Sequence, residues 1–278
     1  MKALLSVFAA VPGSTLGHAA AYAIDLARNT GAHVTALIAE REPVGTTPRL
    51  EPNTMQVDTI APTVVTSSNS LAKTADLFKA AANLSGVKCD VLLSASGSTG
   101  FRERLIGCAQ VRDLTIFDVQ GPLQFPMLNW VEAVLFGSGR PLILAPAGAR
   151  AILSGRVLFA WDASRSAVRA LHDALPLMSG SHEIIVVSVV DDKEISDPQS
   201  GEQICSYLAR WDISARFHPI RRGNEKVGLL LLDFAKRLGA DAIVMGGFGH
   251  PREREFIFGS ATRDVFQSCL EIPVFLSH

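Results

Sequence analysis

One order of apolar and polar runs occurs twice in this chain, and that repetition restricts the fold more than any single motif. Residues 3–9 are a short apolar run, and Gly17 to Arg28 an alanine-rich stretch that Gly31 stops. A second apolar run (34–39) follows, then a polar segment from Glu40 to about Ser68 carrying Pro43, Pro48, Pro52 and Pro62. Helical spacing resumes over 69–84, an apolar run over 87–93 and a short helix over 100–109. Leu114 to Val119, a helix over Leu128 to Phe136 and Pro141-Leu-Ile-Leu-Ala145 close the set. After a small-residue junction, Ala147 to Gly155, the order restarts. Strands are expected at Val157 to Trp161, Glu183 to Val190 and Ala215 to Ile220, with helices capped by Ser164 and Asn224 and a third over Gly201 to Trp211. The endings match in detail, Arg140-Pro-Leu-Ile-Leu against Ile272-Pro-Val-Phe-Leu.

Strands that alternate with helices demand parallel crossover connections, and hence an open sheet covered on both faces. The expected fold is α/β, two tandem domains of Rossmann-like type, each an open five-stranded, mostly parallel sheet with helices on both faces. The boundary falls in the junction, giving domains 1–148 and 149–278. The chain's 278 residues suffice for two such units. Its first residues could pass for a short signal peptide, but the second half opens in the same way, so they read as a strand. Cys89, Cys108, Cys205 and Cys269 are scattered without a CxxC pair and read as buried thiols of a cytoplasmic protein. With 26 basic against 27 acidic residues, no nucleic-acid or membrane-surface field is implied, and no apolar run has the length of a membrane span.

The most informative chemistry lies in Asp241-Ala-Ile-Val-Met-Gly-Gly-Phe-Gly-His250, running on to Phe258-Gly259-Ser260-Ala-Thr262. An apolar strand ends on Gly246-x-x-Gly249, and after nine further residues comes Gly259-Ser260, opening a helix expected over 260–269. Glycines let backbone approach an anion closely, and a serine at a helix start either caps it or donates to a phosphate oxygen. The same glycines could be plain turns. Asp162, after the strand Val157 to Trp161, is a second candidate, because ligands of open α/β sheets bind beyond the carboxyl ends of strands. A carboxylate there accepts from ribose hydroxyls or holds a metal-bound water; it could also merely favour a helix start. No Gly-Lys pair, nucleophile elbow or HExxH spacing is present.

The spacing Gly-x2-Gly-x9-Gly-Ser, with Leu238-Gly-Ala-Asp-Ala-Ile-Val-Met245 before it and Pro273-Val-Phe after, resembles the nucleotide-binding universal stress proteins, which occur also as tandems. The resemblance implies ATP, with or without Mg2+, bound in the second domain. It carries over Asp162, Val189 (a backbone contact to adenine), Met245, Gly246, Gly249, His250, Gly259, Ser260 and Ala261 as nucleotide-binding positions. Where the family shows Asp-Gly-Ser, this chain has Asp162-Ala163-Ser164. The family also implies that the last strands of the two copies, Leu142 to Ala145 and Val274 to Ser277, lie side by side.

The first copy departs from the pattern. Its first strand runs into Phe8-Ala-Ala-Val-Pro12-Gly-Ser14 without an aspartate, and Gly121-Pro-Leu-Gln-Phe-Pro126 follows its fourth strand without the glycine spacing. One nucleotide per chain is therefore expected. The implied function is that of a nucleotide-responsive regulatory or protective factor, with no catalytic residue assigned and at most slow ATP hydrolysis. A weak ATP hydrolase or nucleotidyl transferase and a nucleotide-free interaction scaffold are the alternatives. The implied partners are an adenine nucleotide, the other half of the same chain and a second copy in a homodimer.

Overall fold

The computed structural model describes residues 1–9, 16–39, 63–94, 100–151, 155–178, 180, 183–192, 197, 199–247 and 260–278, with the side chains of 9, 63–69 and 260 excepted. Among them the chain forms β1 (Ala3–Ala9), α1 (His18–Thr30), β2 (His33–Ala39), α2 (Thr63–Leu84), β3 (Cys89–Ser94), α3 (Phe101–Gln110), β4 (Leu114–Asp118), α4 (Met127–Gly137) and β5 (Leu142–Ala145). The same succession follows in β6 (Arg156–Ala160), α5 (Arg165–Met178), β7 (Glu183–Val189), α6 (Ser200–Ala209), β8 (Ala215–Ile220), α7 (Val227–Leu238), β9 (Ala242–Gly246), α8 (Ser260–Phe266) and β10 (Val274–Ser277).

The strands form one ten-stranded sheet in the order β3-β2-β1-β4-β5-β10-β9-β6-β7-β8. Each half is parallel throughout. The central contact, β5 with β10, is antiparallel, with Val274 opposite Leu144, Phe275 opposite Ile143 and Leu276 opposite Leu142. The halves thus share one sheet, joined at strands that would otherwise expose unpaired backbone. The strand at Ala3–Ala9 is central in its half, paired with β2 on one side and β4 on the other.

Side chains alternate across the pleat, so each strand feeds two cores. Leu4, Phe8, Ile116, Ile143, Val157, Phe159, Val244 and Phe275 share one face with the buried sides of α1 and α5. Leu5, Val7, Leu144, Leu158, Met245 and Leu276 share the other with α3, α4, α7 and the end of α8. Each core runs unbroken across the β5–β10 seam. Continuous apolar strands are what a parallel sheet covered on both faces requires.

Several boundaries differ from those read in the sequence. Helix α2 begins at Thr63, inside the stretch taken as loop, and α8 ends at Phe266 rather than near residue 269. Helix α7 starts at Val227, and Lys226, not Asn224, stands at its N-cap without a side-chain cap. The Asp264 carboxylate of α8 instead accepts from the N–H of Gly228 at 3.2 Å, a cap supplied by tertiary packing that local sequence cannot announce. No described helix is long and apolar enough to cross a membrane.

Candidate functional site

In the second half the chain runs from β6 outward through β7 to β8, then returns to lay β9 on the other side of β6. The switch in strand order lies between β6 and β9, where the carboxyl ends of two parallel strands part and their connections leave in opposite directions. Register places Val157, Leu158 and Phe159 opposite Ala242, Ile243 and Val244. The continuations of these strands, Trp161-Asp162 and Met245-Gly246, therefore emerge side by side. Two of the sequence candidates, Asp162 and Gly246, are brought together by this topology.

The turn after β6 is built locally. Trp161 is held between strands, its N–H donating to Val187 O at 2.8 Å and its indole N–H to Ser200 Oγ at 3.1 Å. The Ser188 hydroxyl donates to Trp161 O at 2.7 Å, so the end of β7 is tied to the start of the turn. Asp162 Oδ1 accepts from the Ser164 N–H at 3.1 Å, closing an Asx turn. Between them Ala163 takes φ 57°, the left-handed conformation that favours glycine. The missing glycine of the sequence pattern thus falls where backbone conformation asks for one. Ser164 caps α5, accepting from the Ala167 N–H at 3.2 Å, and its oxygen lies 3.0 Å from Ser166 Oγ.

Gly246 is the last residue of β9. A β-carbon on it would lie 2.5 Å from the Ala167 nitrogen and 2.7 Å from Ser166 Oγ. Sequence reasoning took the motif glycines as granting a ligand access. At this position the glycine is demanded first by the first turn of α5, packed against the strand end. The backbone of Ser166 and Ala167 imposes it, with the Ser166 hydroxyl, missed by the sequence reading, just behind. The signal was present as Ser164-x-Ser166 directly after the strand.

Gly247, buried beneath the same rim, donates its N–H to Ser277 O at 2.7 Å, while its carbonyl lies 2.8 Å from His278 Nδ1. A β-carbon there would lie 3.0 Å from Leu135 Cδ2 of α4, and the His278 ring packs edge-on to Phe136 at 5.1 Å. The start of the glycine segment is therefore clamped by β10 and touched by a helix of the first half.

Val189 ends β7 opposite Ile220, half-buried at its rim. Beyond it Asp191 accepts from the N–H groups of Arg222 and Gly223 at 2.8 and 3.0 Å. These backbone donors, with the Arg222 charge adding to them, hold its carboxyl below the usual carboxylate range. Met245 is buried in the core. Ala261 lies in the first turn of α8, whose approach to α7 is so close that a β-carbon on Gly228 would meet Ala261 O at 2.4 Å. Ser260 opens α8. Gly249, His250 and Gly259, with Arg252 and Arg254, lie outside the described residues. Among the described residues no group of three or more His, Cys, Asp or Glu converges as metal ligands.

A carboxylate such as Asp162, at the strand ends of this switch, can accept from a hydroxyl-bearing ligand. Gly246 and Gly247 stand at the end of β9 at the same rim.

Comparison with known proteins agrees with the architecture. Residues 154–276 match the model of the Universal stress protein family. A universal stress protein from Archaeoglobus fulgidus DSM 4304 is similar in structure over 98% of this chain and 97% of its own, with TM-score 0.63 and 16% identity. A functionally unknown protein from Pseudomonas aeruginosa PAO1 is similar over 98% of this chain and 92% of its own, with TM-score 0.57 and 16% identity. At such identity the likeness concerns the fold, and it spans both halves. No curated protein matches the chain by sequence.

Proposed function

We propose that the second half of this chain, whose residues 154–276 match the Universal stress protein family model, binds an adenine nucleotide, ATP in the first instance, and that the nucleotide acts as a regulatory ligand. The observation that carries this reading is the meeting of Asp162 and the Gly246 segment at the switch between β6 and β9. Open α/β sheets bind their ligands at that position. In this reading Asp162 accepts from the ribose hydroxyls and the backbone at Val189 meets the adenine edge. The segment Met245, Gly246, Gly249, His250, then Gly259, Ser260 and Ala261, wraps the phosphates. If Mg2+ accompanies the phosphates, Asp162 is the residue that would hold a water bound to it.

The halves 1–148 and 149–278 act as one tandem unit in the cytoplasm, with one nucleotide per chain. A homodimer would have to form outside the β5–β10 seam, which the chain already closes on itself.

The deciding experiment begins with acid release and chromatography of whatever co-purifies. Calorimetric titration with Mg-ATP and an assay for ATP consumption follow. One site per chain is expected, and ATP at about 100 times its dissociation constant should raise stability by roughly 2.7 kcal/mol. Gly259→Val should abolish binding and leave the fold intact. Two sites, or none, overturns the reading.

A further inference from the structure

The two halves can be aligned through their sheet register alone. Pro141 and Pro273 precede β5 and β10, and the fourth residue after each is Ala145 and Ser277. Ala145 lies opposite Asp118, and Ser277 opposite Gly246. Asp118 is therefore the first half's counterpart of Gly246, at the end of β4 beside β1, where that half switches its own strand order.

The helix that starts against this position differs in a reciprocal way. In the second half the cap of α5 comes from Ser164 next to it in sequence, and the strand end is a glycine. In the first half the residue before α1 is Gly17, which has no side chain to cap with, and the strand end carries a carboxylate. That carboxylate faces the first backbone N–H groups of α1, those of His18 and Ala19, and Gln120 Nε2 donates to its Oδ2 at 3.4 Å. A β-carbon on Gly17 would come within 3.0 Å of Asp118 Oδ2. Where one position bears a side chain, the other has none.

The exchange sets a serine hydroxyl at one helix start and a carboxylate against the other, and only the first-half rim gains a charge. The first half has a fixed negative group where the second half has a bare backbone. Asp118 Oδ1 is shut off from water and has no hydrogen-bond partner among the described residues. A second anion brought to this rim would meet a carboxylate that already lies against the start of α1.

We infer that Asp118 is the residue that closes the first half to anionic ligands: its carboxylate occupies, as an internal ligand, the anion position at the start of α1. This inference deepens the reading of one nucleotide per chain and rests on it for the second half, whereas its own test concerns the first.

The test uses the whole chain as wild type, Asp118→Gly and Asp118→Asn, each saturated with ATP, with inorganic phosphate as the probe and the thermal midpoint as the readout. Removing the side chain should let phosphate take the vacated amides, so the Asp118→Gly midpoint should climb with phosphate. Its apparent phosphate affinity should be about tenfold tighter than that of the wild type, the scale of an anion's gain at a helix start. Asp118→Asn keeps the shape and removes the charge, and should respond in the same direction by a smaller factor. It serves as the reporter if the glycine variant does not fold. Midpoints indifferent to phosphate in both variants, or a wild type that responds as strongly as they do, overturn the inference. Failure of the nucleotide reading shows separately, as a wild type that binds no ATP.

Discussion

Gly246 lies against Ser166 so closely that a β-carbon on the glycine would sit 2.7 Å from the serine oxygen and 2.5 Å from the backbone nitrogen of Ala167. The nearer contact is with backbone, which cannot rotate away. Gly246→Ala should therefore push α5 off the strand end and cost about 1–3 kcal/mol, the range of overpacking. Gly247→Ala meets only the far end of Leu135, whose Cδ2 would be 3.0 Å away, and should cost less. Urea unfolding without nucleotide measures both. A Gly246→Ala protein as stable as the wild type would show that the glycine serves the ligand alone.

The turn between β6 and α5 contains the opposite case. Ala163 holds φ 57° although it has a β-carbon. A left-handed conformation costs a non-glycine residue roughly 1 kcal/mol. Ala163→Gly removes that strain and gives part of it back as unfolded-chain entropy. The expected net gain is about 0.5 kcal/mol, read as a higher urea midpoint with an unchanged slope. A lower midpoint would mean that the alanine methyl packs against something that repays its strain.

Asp118 gives the chain a pH signature. Burial pushes its carboxyl above the usual range, against the pull of the nearby His18, the Ala19 and His18 N–H groups and the Gln120 side chain. A carboxyl whose folded pKa is raised takes up a proton more readily folded than unfolded. Its contribution to stability is therefore fully present below the unfolded pKa of about 3.9 and is lost as pH rises through the raised folded pKa. Asp118→Asn removes this loss. The variant should match or exceed the wild type in thermal midpoint at pH 7, and its advantage should shrink as pH falls toward 4. A variant clearly less stable at pH 7 would mean that the charge at α1 stabilises more than its burial costs.

The seam between the halves makes one cooperative unit of the sheet. Phe275 is fully buried in β10 opposite Ile143 of β5, within a core that also contains Leu4, Phe8 and Ile116. Phe275→Ala should cost about 3–5 kcal/mol, the usual cost of emptying a phenylalanine site. The loss should be felt in the first half as well. Hydrogen exchange of the amides of Leu114 to Asp118 should accelerate together with those of β9. Exchange that changes only in the second half would show that the two halves unfold separately.

How much of this was legible in the sequence depended on whether the cause was local. The strands were, because runs such as Val157 to Trp161 and Ala242 to Met245 are apolar on both faces, as a sheet between two helix layers requires. The place of Asp162 beside Gly246 followed from the repeat order and the rule for the switch in strand order. The capping of α7 by Asp264 was not legible, since its partners are 36 residues apart and nothing near Lys226 marks it. The role of Asp118 was hidden for the same reason. The first half read as lacking a motif, whereas the register shows a residue that replaces one. Ser166 was overlooked because a serine within a helix's first turn looks like any other.

The final expectation concerns turnover. Phosphoryl transfer needs a positioned metal, an oriented nucleophile and cationic stabilisation of the group in flight. At the switch between β6 and β9 the carboxylate in place is Asp162, and one of its oxygens is already committed to the Ser164 N–H that shapes the turn. The Gly247 carbonyl and N–H are likewise held, by His278 and by Ser277. In the proposed reading these groups bind the ligand and do not react with it. A ligand held this way acts by its different affinity for two conformations of the protein. The proposed phosphate contacts Gly249, His250 and Gly259 all fall between Gly247 and Ser260. ATP should therefore slow proteolysis and hydrogen exchange in peptides covering 247–260, and Asp162→Ala should weaken that effect by weakening binding. ATP consumption should stay below about 1 per second, the lower edge of common enzyme rates. A rate inside that range, lost in Asp162→Ala while ATP still binds, would establish the chain as an enzyme and end the regulatory reading.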